Sequence, residues 1–73
     1  MLLTNTIREE RAKLNITQQE LADRTGVSRQ TINSIESGKY VPSTVLALKI
    51  AKVFNKSVND IFSLPVIEND DSY

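Results

Sequence analysis

Seventy-three residues make one domain at most, near the size at which a single hydrophobic core becomes marginal without help. The chain has no cysteine and no histidine, which excludes disulfides, argues against a metal staple, and leaves self-association as the common remaining support. Nine bases balance nine acids, but Glu68, Asp70 and Asp71 fall at the very end, so residues 1–67 carry a net charge of +3. That is modest beside the basic footprint of many nucleic-acid binders, and local pattern has to decide the function. No stretch approaches the roughly 18 apolar residues of a membrane span, and the N-terminus lacks a signal-peptide pattern. A cytoplasmic protein with no membrane, metal or cofactor partner is expected.

Start and stop signals predict five helices. Ile7, Arg11 and Leu14 follow i, i+4, i+7 spacing and suggest a first helix over residues 5–14. Thr17 with Glu20 three residues later is a capping box that opens a second helix, residues 18–25, with Leu21 and Ala22 facing inward. Gly26 stops it, and only Val27 separates that stop from Ser28, the next N-cap. A third helix runs over residues 29–37, with Ile32 and Ile35 inward and Gly38 as terminator. After a loop at residues 39–42, Ser43 caps a fourth helix ending near Phe54, and Ser57 caps a short fifth over residues 58–61. Residues 62–67 are too apolar for a plain tail and predict a short strand, with Leu2 and Leu3 as its partner. Beyond Ile67 the acidic end has almost nothing to bury, so residues 68–73 are expected to be a disordered tail following a domain of residues 1–67.

Residues 17–36 carry the functional information. Two helices joined by so tight a glycine-containing turn must cross steeply, and Ala22 permits the close approach. With Ile32 and Ile35 turned inward, the outer face of the third helix keeps Arg29, Gln30, Asn33, Ser34 and Ser37. None is acidic and each can hydrogen-bond, whereas a helix needing only solubility would normally carry Glu and Lys there. The run GVSRQTINSIESGKYVPS, followed by ALKIAKVF and DIF, resembles the XRE family of lambda-repressor and Cro-like helix-turn-helix regulators over residues 5–62.

The resemblance implies an all-α, five-helix lambda-repressor-like domain, here with a small two-stranded antiparallel sheet from the chain ends. It also implies a homodimer that binds a palindromic operator in double-stranded DNA, usually to repress transcription. By position, Arg29, Gln30, Asn33 and Ser34 would face base edges in the major groove. Gln18, Ser28, Thr31, Lys39 and Tyr40 would meet phosphates, and Arg11 and Glu36 would form a structural ion pair. The chemistry agrees: an arginine fork matches guanine O6 and N7, a carboxamide matches adenine N6 and N7, and helix N-termini with short hydroxyls suit phosphate oxygens. Glu10 and Thr44 stand where many relatives carry apolar residues, which is expected to weaken the core slightly. The acidic tail is not part of the family pattern.

Phe62, Leu64, Val66 and Ile67 have few possible core neighbours in so small a domain, and a dimer interface would hide them. An enzyme is not expected, because the chain has no histidine, no cysteine and no glycine-rich phosphate loop. The alternative of a different class is a protein-interaction module of the same fold, such as the antitoxin of a toxin–antitoxin pair.

Overall fold

The computed structural model describes residues 3–65. Its order is β1 (Thr4–Asn5), α1 (Ile7–Leu14), α2 (Gln18–Thr25), α3 (Arg29–Glu36), α4 (Thr44–Val53), α5 (Val58–Ile61) and β2 (Phe62–Ser63). Of the four caps placed by sequence, Thr17, Ser28 and Ser43 each accept the backbone N–H of the residue three positions on, while Ser57 donates its hydroxyl to Asp60 Oδ2. Each of the first three satisfies one orphan donor of a helix N-terminus. At Thr17 the box closes reciprocally, with Glu20 Oε1 accepting the Thr17 N–H at 3.2 Å. Gly26 ends α2 in the left-handed conformation at φ 78°, where a side chain would be strained. Two further left-handed turns fall on Asn15 and Asn55, which end α1 and α4; asparagine is the residue that enters this region most readily after glycine.

The inward positions of all five helices meet in one core. Ile7, Leu21, Ile32, Ile35, Ile50 and Ile61 are completely enclosed, and Ile16, Ala22, Leu46, Ala47, Ala51, Phe54 and Phe62 are buried around them. Burial of each of the large aliphatic side chains contributes about 1.5–3 kcal/mol, which is how so few residues hold a fold. No helix among the described residues is long and apolar enough to cross a membrane.

The chain ends do form a two-stranded antiparallel sheet, but the pairing lies inward of the predicted one. Thr4 faces Ser63 and Asn5 faces Phe62. The register is set by chemistry at both positions. Thr4 Oγ1 donates to the Ser63 carbonyl at 2.9 Å, and Phe62 turns its ring into the core. Phe62 therefore has core neighbours inside its own chain, where few were expected. Leu64 is exposed. Val66, Ile67, Leu2 and the acidic tail lie outside the described residues.

α1 begins at Ile7 rather than Asn5 because Asn5 belongs to β1 and acts as an anchor. Its Oδ1 accepts the Ile7 N–H at 3.1 Å, while its Nδ2 donates to the Ile35 carbonyl at 3.0 Å. Thr44 is exposed, so it takes nothing from the core. Glu10 is buried, but its carboxylate accepts from Lys56 Nζ at 3.0 Å and lies 3.4 Å from Lys13 Nζ. The unexpected acid thus clamps α1 to the turn after α4.

The Lys56 hydrogen bond, assisted by the charges of Lys13 and Lys56 and opposed by burial, holds the Glu10 carboxyl below its ordinary value of 4.5. A carboxylate with a depressed pKa stabilises the fold above its unfolded pKa, and that stability is lost as pH falls through the folded pKa. Lys56→Met is therefore expected to lower the melting temperature at pH 7. The gap from the parent should close as pH drops below 4.5 toward and through the depressed value. A gap that stays constant over that range in thermal unfolding would mean that Glu10 does not respond to Lys56.

Candidate nucleic-acid interface

α3 is the element that presents the site. Ile32 and Ile35 root it in the core, so by helical periodicity Arg29, Gln30 and Asn33 are exposed and Ser34 is half-buried. Its first turn contains no acid, and the Ser28 cap leaves the N–H groups of Arg29 and Gln30 without intrahelical partners. The positive end of the helix is thus left open to an anion. Ser28, Gln30, Thr31, Ser34 and Tyr40 line a shallow concavity beside it. Ser28 Oγ and Thr31 Oγ1 lie 2.9 Å apart and share one hydrogen, so the second hydroxyl hydrogen remains to be donated outward. Past the helix, the N–H groups of Lys39 and Tyr40 both donate to the Ser34 carbonyl, at 2.9 and 3.2 Å. That turn sets exposed Lys39 and half-exposed Tyr40 just past the end of α3.

Behind α3 lies a polar network. Arg11 Nε donates to Glu36 Oε2 at 2.6 Å, its Nη2 donates to Oε1 at 3.2 Å, and its Nη1 donates to the Ile16 carbonyl at 3.0 Å. One guanidinium thus joins α1, the loop before α2 and the end of α3. The Glu36 side chain is 1% exposed and that of Arg11 16%, so the pair is shielded from solvent. Gln18 extends the network: its Nε2 lies 3.2 Å from both Glu36 Oε1 and Asn33 Oδ1. Both of its side-chain N–H groups therefore have acceptors within the chain. The sequence reading passed over Arg8, whose side chain is 76% exposed with its Nε 3.8 Å from Glu36 Oε1. It also passed over the anchoring Asn5, since neither contact has a local signature.

Charge is segregated although the chain is neutral. Between Arg24 and Asn59 the only acid is Glu36, against six bases. Its carboxylate is hidden under Arg11, so the α3 side of the molecule shows no exposed acid from its own helix.

A capped helix, a glycine turn and a second helix with a hydrogen-bonding outer face define the class as a helix-turn-helix domain. The sequence profile of the helix-turn-helix family matches residues 7–61. An uncharacterised HTH-type transcriptional regulator of Archaeoglobus fulgidus is 61% identical over 56 residues, covering 77% of this chain and 79% of that one. A second such regulator, from Methanocaldococcus jannaschii, is 49% identical over 69 residues, covering 94% of this chain and all of its own. Among solved structures, the SOS-response transcriptional repressor LexA of Eubacterium rectale superposes with a TM-score of 0.71 at 26% identity, over 92% of this chain and 77% of that one. The chain belongs to the XRE-type helix-turn-helix family, a family of DNA-binding regulators.

Removing one member of a shielded ion pair strands the other. Arg11→Ala or Glu36→Ala is expected to cost about 3 kcal/mol or more in urea unfolding. A mutant that unfolds like the parent would show that the pair is decorative.

Proposed function

We propose that this chain is a sequence-specific transcriptional regulator, acting as a repressor, that inserts α3 into the major groove of operator DNA as a homodimer. The observation that carries this reading is the outer face of α3, where four hydrogen-bonding side chains and no acid stand on a helix rooted by two isoleucines. Arg29 and Gln30, in the first turn, choose bases by pairing with their major-groove edges; Asn33 and Ser34 reach the same edge from the next turn. The phosphates are held by the Ser28–Thr31 hydroxyl pair, Lys39, Tyr40 and the backbone N–H of Gln18, the first residue of α2. These contacts fix register and carry no sequence information.

Dimerisation is supported by apolar surface that the monomer leaves open. Val45, Leu48 and Leu64 are each more than half exposed. A groove lined by Leu3, Pro42, Ala47, Leu48, Phe62 and Leu64 lies between α4 and the terminal sheet. An isologous contact across this face would set two α3 helices on symmetric half-sites roughly 34 Å apart.

Two kinds of contact separate in one experiment. Arg29→Ala or Gln30→Ala should cost about 1–3 kcal/mol per half-site and relax the preference at particular base pairs. Lys39→Ala should weaken good and poor sites alike and flatten the salt dependence by about one unit per half-site. If Arg29 and Gln30 can both be removed without altering the sequences selected from a random duplex library, α3 is not the reading element and an interaction module becomes the better account.

The dimer has its own test. By sedimentation the parent should be dimeric at micromolar concentration, and Leu48→Lys, on an exposed position, should be monomeric with unchanged helicity. A monomeric parent rules out the dimer while leaving the base contacts standing.

A further inference from the structure

Asn33 can present either end of its carboxamide to DNA, and the two ends select different bases. The network behind α3 decides between them. The Glu36 carboxylate, held by two N–H groups of Arg11, can only accept hydrogen bonds. The Gln18 carboxamide lies 3.2 Å from Glu36 Oε1, so the end facing it must be the donor Nε2. That same Nε2 lies 3.2 Å from the Asn33 carboxamide, and its second hydrogen requires an acceptor. Asn33 must therefore turn Oδ1 toward Gln18. Its Nδ2, with two N–H groups, is left facing outward, and it donates to no acceptor among the described residues.

We propose that Gln18 is a positioning residue that transmits the polarity of the buried Arg11–Glu36 pair to Asn33, so that Asn33 reads its base as a hydrogen-bond donor. Purine N7, guanine O6 and thymine O4 are acceptors in the major groove, whereas cytosine presents the N4 amino donor. Asn33 thus accepts guanine, adenine or thymine and rejects cytosine. An unrestrained asparagine would turn its amide over and accept from cytosine N4, losing that discrimination. The inference rests on the reading that α3 enters the groove.

The test is selection from a random duplex library with the parent, Asn33→Ala, Gln18→Met and Asn33→Asp. The position whose preference collapses in Asn33→Ala is the one Asn33 contacts. There the parent should disfavour cytosine by roughly tenfold, the consequence of leaving a desolvated donor unpaired. Gln18→Met, similar in length and without an amide, should bring that ratio toward one while the preferences set by Arg29 and Gln30 persist. Asn33→Asp changes an exposed side chain and does not depend on the fold tolerating a change at Gln18. It turns the outward group into an acceptor and should shift the preference toward cytosine or adenine. The proposal is overturned if Asn33→Ala leaves every preference intact, or if the parent selects cytosine at that position. It is equally overturned if Gln18→Met lowers affinity uniformly and leaves the cytosine exclusion in place, or if Asn33→Asp keeps the parent's preference. A parent that selects no sequence at all removes the DNA-reading function itself, a separate result.

Discussion

The contact between Arg11 and Glu36 is the constraint on which the rest depends. A helix as short as α3 has little intrinsic stability, and its orientation must come from what it packs on. Ile32 and Ile35 supply the attraction, but aliphatic contacts tolerate small rotations about the helix axis. A bidentate guanidinium–carboxylate pair does not, because two parallel hydrogen bonds fix a plane as well as a distance. Since Arg11 also holds the Ile16 carbonyl, and Asn5 holds the Ile35 carbonyl, α1 and the strand before it grip both the end of α3 and the approach to α2. Shielded ion pairs contribute little net stability against well-packed hydrophobic residues. What this one supplies is orientation, and Gln18 carries that orientation outward to Asn33.

The same pair resolves the apparent conflict between a neutral chain and a polyanionic partner. Glu36 is needed for its geometry, yet an exposed carboxylate at the end of α3 would repel phosphates. Burial under Arg11 keeps the geometry and cancels the field. Three further acids are engaged within the fold: Glu20 completes the cap of α2, Glu10 is sequestered by Lys56 and Lys13, and Asp60 accepts from the N–H and hydroxyl of Ser57. Overall charge is therefore a poor guide to what this surface binds, and the placement of each acid is a good one.

Much of the fold was legible because its signals are local. The caps Thr17, Ser28 and Ser43 and the stop at Gly26 are each read within four residues, and α2 and α5 fall where those signals put them. What the sequence reading missed is long-range. The clamp from Glu10 to Lys56 spans 46 residues, the Asn5 anchor to Ile35 spans 30, and the pairing of Thr4 with Ser63 spans 59. No periodicity announces such contacts. The burial of Phe62 was not legible for the same reason, since its core neighbours come from other elements. The asparagine turns at Asn15 and Asn55 were local but carried a weaker signal than glycine. Of the site, the identity of the outward residues on α3 followed from periodicity, whereas the commitment of Gln18 to Asn33 and Glu36 needed coordinates.

The restraint on Asn33 has a consequence for assembly. On the proposed reading, Arg29 and Gln30 remain the two side chains of α3 able to pair bidentately with a base. Two such pairs supply about 2–6 kcal/mol of discrimination. Finding one site among on the order of a million competitors takes about 8 kcal/mol. One copy of the domain falls short, and a second copy on a symmetric half-site doubles the discrimination without any new chemistry. The apolar groove beside Leu48 and Leu64 and the small size of the core point in the same direction, since both leave surface that a second copy would cover. On the proposed reading, the reading of bases and the pairing of subunits are then two aspects of one requirement: a second copy would supply the specificity that a single domain this small lacks.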